Sequence, residues 1–442
     1  MVDFNWTHKN LMRLIHTSDW HLGQRFYHHS REVEHAQFLD WLHQQLAIHQ
    51  PDALLIAGDI FDTVNPPISA QRQLYEFLAC CYRDYPALQI IMIAGNHDSG
   101  SRIELPAPLL GAMNVQVVGR VQWHDDQPDF SQLIVPIQRM DDAGNHQVLG
   151  WCVALPYLRA AEVTANGLSP DVNAAITTLH AQVLAQVAVQ KQPDQAVVLM
   201  SHAHLSGGEM SDSVRNVVIG TLEAQSVSLY PEWVDYVALG HLHKPQKIAG
   251  QERVRYSGSP IPLSFSERHY PHQVLLVEIE SDQPLQVTPL LIPRAVPMLQ
   301  FKDTLPNLIE QLQQYAWPAA DVPFAQQAWL EICVQLQGEP PPVNLRQILD
   351  QHLPEHRARL LRLRCEQHPD FKVDATVIGA DPFNLHELPE PKQLFEQLWQ
   401  QQYGQPSEQV LADFEWLLQA LQDQSESGKS VLDSVATGQG LT

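Results

Sequence analysis

The sequence predicts a layered α/β fold in which buried strands carry polar side chains to one edge of a sheet. The apolar run at 53–56 leads into Gly58 and Asp59, and the run at 90–93 leads into Gly-Asn-His-Asp at 95–98. Short apolar runs that end in glycine and then in polar residues are typical of strands buried on both faces. The carboxyl ends of such strands are where open α/β sheets bind their ligands.

Three more runs end in the same way and indicate a shared site. They are 13–16 before Asp19 and His21, 196–200 before His202, and 235–239 before His241 and His243. The five strand ends offer carboxylate and amide oxygens together with imidazole nitrogens, and imidazole suits manganese, iron or zinc better than magnesium or calcium. Two neighbouring ions need a bridging ligand, and the carboxylate of Asp59 is the natural candidate because its loop lies between the others in chain order.

The other segments of the first 293 residues supply helices and a second sheet. Amphipathic spacing predicts helices at 31–49 and 69–83, and a helix rich in Ala and Leu is predicted at 172–189. Further strands are predicted at 116–119, 148–155, 254–257, 274–279 and 285–291. The last three strands are assigned to a second sheet, and 125–145 is predicted to be a polar hairpin or loop. Two packed sheets flanked by helices fit a layered sandwich.

Beyond Pro293 the pattern changes to smaller units. The predicted elements are a helix at 305–315, a strand at 329–336, a helix at 345–353 and a strand at 358–365. A Pro-rich linker then precedes two short amphipathic helices, one at 393–403 and one capped by Ser407. A hairpin this short cannot bury both apolar faces by itself, so it packs either on its own protein or on a partner helix.

Charge, cysteine content and the length of apolar runs bear on the ligands and location of the protein. The formal net charge of -23 opposes DNA binding, which normally depends on Lys and Arg, so a nuclease needs metal ions and a partner to bring positive charge. Composition alone favours an ordinary acidic cytosolic protein. Five cysteines without Cys-x-x-Cys spacing favour reduced thiols and a cytoplasmic location. No run reaches the roughly 18 apolar residues of a membrane span, so no membrane association is expected.

The motifs resemble those of the calcineurin-type metallophosphoesterases, and they are most similar to the SbcD family of bacterial nuclease subunits. The stretches that carry this resemblance are SDWHLG at 18–23, GDIFDT at 58–63, GNHDS at 95–99, GHLH at 240–243 and YSGSPIP at 256–262. The domains that it implies are an extension at 1–11, a metallophosphoesterase β-sandwich flanked by helices at 12–293, a small α/β DNA-capping domain at 294–384, a helical hairpin at 385–423 and a disordered tail at 424–442.

The resemblance also implies the residues of the site. One metal ion would be held by Asp19, His21, Asp59 and His243, and a second by Asp59, Asn96, His202 and His241. The expected ions are Mn²⁺, with Mg²⁺ as the alternative. His97 would protonate the leaving 3′-oxygen, and Asp98 would orient His97 through a hydrogen bond.

Two positions leave questions open, and two others bear on an alternative function. His204 could replace His202, although the spacing to 211–215 favours His202. Asp62 has no assigned role. Thr63 and Asp98 depart from the Ser/Thr protein phosphatases, which have Arg and Glu there, and this weakens a phosphatase interpretation.

A basic group surrounds the last metal loop in the sequence. Lys244 and Arg255 are assigned to substrate binding because they would position phosphates. Lys247, Arg253 and Arg268 belong to the same group. An ordinary solvated hairpin explains these residues equally well.

The sequence therefore predicts a metal-dependent hydrolase of DNA phosphodiesters that acts in repair. The resemblance implies 3′→5′ exonuclease action on duplex ends, endonuclease action on hairpins or single strands, and an SbcC-like ATPase partner bound through the C-terminal hairpin.

The resemblance also implies a homodimer formed through the helices at 31–49 and 69–83, although apolar residues at this spacing are more often plain core. No Gly-x-x-x-x-Gly-Lys loop is present, so ATP hydrolysis belongs to the partner. The alternatives are a stand-alone phosphodiesterase for small nucleotides and a non-catalytic scaffold for the ATPase.

Overall fold

The computed structural model describes residues 11–125, 127–140, 144–164, 168–211, 224–318, 321–337, 341–342 and 344–367, and seven separate positions between 395 and 414. The chain divides into two compact units, 1–368 and 369–442. The predicted extension at 1–11, apart from Leu11, the tail at 424–442 and the end of the capping domain at 368–384 lie outside the described residues.

The described strands and helices alternate over most of the first unit. The strands are β1 (Met12–Thr17), β2 (Arg25–Phe26), β3 (His29–Ser30), β4 (Ala53–Ala57), β5 (Gln89–Ile93), β6 (Val115–Val118), β7 (Trp123–His124), β8 (Gln127–Pro128), β9 (Ile134–Met140), β10 (His146–Leu155), β11 (Ala196–His202), β12 (Tyr236–Gly240), β13 (Gln246–Lys247), β14 (Val254–Tyr256), β15 (Gln273–Ile279), β16 (Gln286–Leu291), β17 (Met298–Asp303), β18 (Ala328–Leu336) and β19 (Ala358–Gln367). The helices are α1 (Glu32–His49), α2 (Ile68–Asp84), α3 (Gly100–Glu104), α4 (Ala107–Gly111), α5 (Ala160–Thr164), α6 (Val172–Gln190), α7 (Leu305–Gln314) and α8 (Leu345–Asp350).

Two six-stranded sheets form the centre of the first unit. The first has the strand order β16-β15-β1-β4-β5-β6, and the second has the order β13-β14-β12-β11-β10-β9. One core cluster joins the two sheets, and another lies between the first sheet and helices α1 and α2. Leu54 and Ile56 pack on the helix side, whereas Leu55 packs between the sheets, so β4 is buried on both faces. This burial explains the unbroken apolar runs and confirms the predicted layered α/β fold.

The sheet assignment of two strands was wrong. β15 and β16 were expected in the second sheet, but β15 pairs antiparallel with β1, and β16 pairs with β15. Val277 packs between the sheets, whereas Val274 faces the helix side, so β15 is itself buried on both faces. Apolar alternation identifies such a strand but contains no information about its neighbour.

The segment 125–145 is only partly a polar loop, because it contains β8 and the whole of β9. Pro136 argues against a strand in the sequence, since proline cannot donate to a ladder. Among the described strands, β9 is the edge of the second sheet and pairs with β10 alone, a position where proline is tolerated. The strand β17 and the short helices α3 and α4 were also missed.

The residues after 293 form a three-stranded parallel sheet, in the order β17-β18-β19. Helices α7 and α8 cover one face of it, with Leu308, Leu312 and Leu349 packed against Leu330 and Ile332. The observed order is β-α-β-α-β, which adds one strand to the predicted α-β-α-β pattern.

The second unit is described only at single positions within the predicted hairpin. The rings of Phe395 and Phe414 stack with centroids 3.9 Å apart, and Phe395 lies 5.4 Å from Trp399. The Ser407 hydroxyl accepts a hydrogen bond from Val410 N at 3.4 Å, as expected of a helix cap. These contacts connect the two segments that the sequence predicts as helices.

Among the described residues, α6 alone is long and apolar enough to cross a membrane. Its residues Ile176, Leu179, Val183 and Val187 belong to the main core cluster. A core helix passes the same test of length and composition, so α6 is weak evidence for a membrane span.

Buried His180 on α6 makes the stability of the fold sensitive to acid. Burial lowers its pKa to about 4, although the Ile176 carbonyl counteracts this. The unfolded histidine titrates near 6.5, so stability is fully present above that pH and falls as the pH drops toward 4. Between pH 7 and pH 5 the wild type should lose about 2 kcal/mol more of its free energy of unfolding than His180→Gln does. Urea unfolding at both pH values tests this, with the exposed His146→Gln as control; equal losses in wild type and His180→Gln would contradict it.

Candidate metal centre

Five strand ends from the two sheets bring the predicted ligands together. Strands β1, β4 and β5 of the first sheet lead into the loops of Asp19, Asp59 and Asn96. In the second sheet, β11 ends at His202 and β12 leads into His241 and His243. Six of the seven side chains are buried, with exposed fractions of 0–7%. The polar groups at the edge of this sandwich therefore face one another and not bulk solvent.

Backbone hydrogen bonds lock the loops to one another. Asp19 N donates to the Gly58 carbonyl and His21 N to the Asp59 carbonyl, both at 3.0 Å. The carboxylates take part as well: Asp59 Oδ1 accepts from His97 N at 2.9 Å, and Asp19 Oδ1 accepts from His241 N at 2.9 Å. Each aspartate thus accepts a backbone N–H through its Oδ1, and Asp19 Oδ2 also accepts from the Ser18 hydroxyl at 2.5 Å.

The backbone is strained at the predicted ligands. Asp19, His21, Asp59 and His241 have φ values of 54°, 48°, 48° and 106°, in the region that favours glycine. Such conformations cost on the order of 1–3 kcal/mol each and persist where the surrounding structure enforces them. Their concentration at four of seven predicted ligands indicates a functional site.

Two glycines allow the loops to approach this closely. Gly58 has a φ of 88°, and a Cβ there would overlap the His202 ring. A Cβ at Gly95 would overlap the Asp59 carboxylate. The glycine before each polar motif is therefore required by the packing of the site.

The side chains form three groups whose donor atoms lie within 4.8 Å of one another. The groups are Asp19, His21 and His243; His21, Asp59 and His97; and Asp59, His202 and His241. Asp59 Oδ2 lies 3.6 Å from His21 Nε2 and 3.3 Å from His202 Nε2. Asp59 therefore lies between one donor group and the next, as a bridging carboxylate must.

Asn96 completes the second group. Its Oδ1 lies 3.0 Å from His202 Nε2 and 2.9 Å from His241 Nδ1. The amide oxygen and the two imidazoles thus converge on one volume.

The buried carboxylates of this cluster favour positive charge on their neighbours. Burial lowers the pKa of His202, but the charge of Asp59 and a hydrogen bond to it raise the pKa to about 9. Burial likewise lowers the pKa of His21, and the hydrogen bond to Asp62 with the charge of Asp59 raises it to about 9. Burial and the neighbouring His202 hold the pKa of His241 well below its usual range. Protonated imidazoles compensate the buried carboxylates here, a role that divalent cations fulfil more completely.

The donor set fits a pair of divalent metal ions. His21 Nε2 is buried without a hydrogen-bond partner among the described residues, although it lies in two donor groups. Carboxylate and amide oxygens combined with imidazole nitrogens suit first-row transition ions, and a shared carboxylate suits two of them.

Supporting contacts orient the ligands, and one of them involves a residue that sequence reasoning missed. His243 Nδ1 lies 3.1 Å from Oε1 of Glu267, whose side chain is fully buried and also accepts from Leu263 N. His202 Nδ1 lies 2.9 Å from the Ala57 carbonyl, which leaves Nε2 for the site. Such partners fix the tautomer and direction of a metal ligand. Nothing in the sequence near Glu267 resembles a ligand motif, so no local signal could have identified it.

The structure corrects the expected contact of Asp98. Its carboxylate does not hydrogen-bond His97; it accepts from the backbone N–H groups of Ile60, Phe61 and Gly95 at 2.9–3.1 Å. Burial and the charge of Asp59 raise the pKa of Asp98, and these N–H groups counteract the shift. Asp98 therefore joins the Asp59 loop to the Asn96 loop and acts as a positioning residue.

His97 is oriented by another group. Its Nδ1 lies 2.8 Å from the Asp62 carbonyl, which can only accept, so Nδ1 carries the proton. Its ring centroid is 4.8 Å from that of His21. This leaves Nε2 of His97 available beside the donor groups. The Asp62 carboxylate lies 3.2 Å from His21 Nδ1 and so supports a predicted ligand.

The structure places His202, and not His204, in the donor groups. His204 is half-buried, with its ring centroid 6.2 Å from that of His241. The unbroken spacing that favoured His202 in the sequence agrees with this arrangement.

The basic residues near the last loop are paired with carboxylates or carbonyls. Lys244 forms an ion pair with Glu209, and Arg255 and Lys247 both pair with Glu252. Arg253 and Arg268 donate to backbone carbonyls. Lys244, Lys247 and Arg255 are therefore matched by carboxylates and do not form the free cationic group expected for phosphate binding. Lys244 and Arg255 fit the alternative of an ordinary solvated hairpin better.

Comparisons with known proteins agree with this site. The model of the calcineurin-like phosphoesterase family matches residues 12–245, and that of the type 5 capsule protein repressor C-terminal domain matches residues 294–403. The chain therefore belongs to the calcineurin-like phosphoesterases.

Three curated relatives specify the group further. Each of them is named as the SbcD polypeptide of the SbcCD nuclease. The one from Rhodobacter capsulatus is 37% identical over 80% of this chain and 87% of its own length. The relative from Escherichia coli is 37% identical over 73% of this chain and 77% of its own length. The relative from Bacillus subtilis is 30% identical over 77% of this chain and 86% of its own length. The chain is thus a member of the SbcD family of nuclease subunits and a metal-dependent phosphodiester hydrolase.

Proposed function

We propose that this chain hydrolyses DNA phosphodiesters with two metal ions, as the nuclease subunit of an SbcCD-type complex. The observation that carries the proposal is Asp59, whose carboxylate lies between two donor groups built from both sheets. The proposed action is 3′→5′ exonuclease cleavage of duplex ends and endonuclease cleavage of hairpins and single strands, in cytoplasmic DNA repair, recombination and replication.

We assign the ligands in two sets that share Asp59. Asp19, His21 and His243 complete one set, and Asn96, His202 and His241 complete the other. Bound divalent ions, with Mn²⁺ preferred to Mg²⁺, would activate water and neutralise charge on the phosphoryl oxygens. His97, with both ring nitrogens protonated, would deliver from Nε2 the proton that the leaving 3′-oxygen needs, while its Nδ1–H stays on the Asp62 carbonyl.

We propose an SbcC-like ATPase as the partner of the C-terminal hairpin at 385–423. The apolar residues of its two predicted helices exceed what a two-helix hairpin can bury, and Phe395 already stacks on Phe414. The remaining apolar side chains then pack on a partner helix.

We also propose a homodimer formed around α2, α3 and α4. Ile68, Leu105 and Leu109 are 75–81% exposed, and Val64 is 56% exposed. An apolar patch of this kind typically marks a protein interface. We expect Leu105→Glu/Leu109→Glu to convert a dimer to a monomer in size-exclusion chromatography with light scattering. Val189→Glu, at an exposed apolar position on α6, is the control, and a double variant that stays dimeric would contradict this interface.

A cleavage assay tests the function itself. The purified chain is incubated with Mn²⁺ and either a labelled hairpin-ended duplex or bis(4-nitrophenyl) phosphate, with and without the SbcC-like ATPase and ATP. We expect DNA cleavage that increases with partner and ATP. Ester hydrolysis that is indifferent to the partner, without DNA cleavage, would indicate a small-nucleotide phosphodiesterase, and inactivity on both substrates would indicate a scaffold.

A further inference from the structure

A sixth strand end reaches the metal centre and carries the YSGSPIP stretch at 256–262. β14 lies parallel to β12, so the residues after β14 lie beside the loop that carries His241 and His243. The stretch supplies no predicted ligand. Its serines Ser257 and Ser259 are fully buried, and a buried hydroxyl needs a hydrogen-bond partner. The two hydroxyls have different partners, and one of them leads to the site.

The hydroxyl of Ser257 is connected to the carboxylate of Asp19 through a second buried serine. Ser257 Oγ lies 2.8 Å from Ser18 Oγ, and Ser18 Oγ lies 2.5 Å from Asp19 Oδ2. An ionised carboxylate can only accept, so the hydroxyl proton of Ser18 lies toward Asp19. Ser18 then accepts from Ser257, whose alternative acceptor, the Gly258 carbonyl, lies 3.4 Å away. The direction of both hydrogen bonds is thereby fixed.

These bonds hold the Asp19 carboxylate in one orientation. Its Oδ2 accepts from Ser18, and its Oδ1 accepts from His241 N at 2.9 Å. Asp19 is fully buried and has a φ of 54°, a strained conformation that persists where its surroundings enforce it. The remaining lone pairs of the carboxylate are left for the donor group that Asp19 forms with His21 and His243.

The two serines come from different sheets, and the second is held firmly in place. Ser18 follows β1 of the first sheet, and Ser257 follows β14 of the second. Gly258 has a φ of 80°, and a Cβ there would lie 2.7 Å from the His243 carbonyl. Ser259 N donates to that same carbonyl at 3.1 Å. Ser257 is therefore fastened to the loop of one predicted ligand while its hydroxyl reaches toward another.

We propose that Ser257 and Ser18 form a hydroxyl relay that positions Asp19 and thereby strengthens the binding of one of the two metal ions. Hydrogen bonds to an ionised acceptor are shorter and stronger than neutral ones, as the Ser18 contact is. Groups that orient a metal ligand from behind change metal affinity by about 10–100-fold. This role rests on the proposed two-metal function and adds to it two positioning residues that are not ligands.

Titration with Mn²⁺ of Ser18→Ala and Ser257→Ala tests the relay, with Ser259→Ala as the matched control. Ser259 is equally buried, but its hydroxyl donates to the Ile261 carbonyl at 2.9 Å, away from the ligands. By isothermal titration we expect one of the two ions to bind about 10–100-fold more weakly in Ser18→Ala. Ser257→Ala leaves the bond to Asp19 in place, so the expected weakening is about fivefold, the value of one net hydrogen bond. Ser259→Ala should bind both ions as the wild type does.

Two further measurements separate positioning of Asp19 from a general loss of packing. In an Asp19→Asn background, Ser18→Ala should change Mn²⁺ affinity by no more than about twofold, because residues that act through one contact are not additive. Urea unfolding without metal should show similar losses of stability in Ser257→Ala and Ser259→Ala, because each variant loses one buried hydroxyl. Metal affinity, and not stability, therefore distinguishes the two serines.

Mn²⁺ affinities in Ser18→Ala and Ser257→Ala that equal that of Ser259→Ala would overturn the relay, and so would a wild type that binds no Mn²⁺. If Ser18→Ala does not fold, the comparison of Ser257→Ala with Ser259→Ala decides by itself. A wild type that binds two ions but cleaves no DNA would overturn the proposed nuclease function alone, because the titration needs no substrate.

Discussion

Asp59→Asn is expected to lower phosphodiester hydrolysis roughly a thousandfold or more, a loss of about 4 kcal/mol of transition-state stabilisation. Asp59 Oδ2 lies between His21 Nε2 and His202 Nε2, and Oδ1 accepts from His97 N. Asparagine keeps the shape of the side chain but has one acceptor oxygen and no charge. It therefore cannot both hold the His97 loop and join two metal ions.

Isothermal titration with Mn²⁺ separates this effect from a loss of folding. We expect two bound ions per wild-type chain and at most one per Asp59→Asn chain, with a far-UV circular dichroism spectrum that is unchanged. Asp40→Asn, at an exposed carboxylate on α1, should bind two ions and retain full activity. A variant of Asp59 that binds two ions and cleaves DNA within tenfold of wild type would refute the bridging assignment.

The donor groups could be predicted from the sequence because each ligand follows its own strand within a few residues. A buried strand is recognisable from its apolar run, and the polar residue after it then has a definite place at the sheet edge. His202 lies close to Asp59, about 140 positions away, and His243 to His21, about 220 positions away. Local patterns placed each of them at a strand end, and the family resemblance supplied their grouping.

The features that the sequence did not reveal depend on distant partners. Nothing near Glu267 shows that it contacts His243, and Asp98 lies next to His97 in sequence although its carboxylate faces the 58–61 loop. In the same way, the pairing of β15 with β1 brings together strands more than 250 residues apart. The packing of the β2–β3 hairpin on β19 is a further case, because it joins a hairpin near residue 27 to a strand near residue 360.

His97→Gln is expected to keep both metal ions and DNA affinity while DNA cleavage falls by about 10²–10⁴-fold. The His97 backbone N–H donates to Asp59, so this link persists when the side chain changes. The imidazole is held by the Asp62 carbonyl through Nδ1, so its loss removes a proton donor whose position is already fixed. Glutamine cannot transfer a proton.

A comparison of leaving groups separates proton donation from metal binding. The 3′-oxygen of DNA must be protonated as it leaves, whereas 4-nitrophenolate is stable without a proton, so the ester should lose much less rate than DNA in His97→Gln. His124→Gln, at an exposed position outside the site, is the control. Because His97 forms one donor group with His21 and Asp59, a variant that binds only one Mn²⁺ would identify it as a ligand. Equal losses on both substrates with two ions bound would instead assign His97 a purely structural role in holding the Asp59 loop.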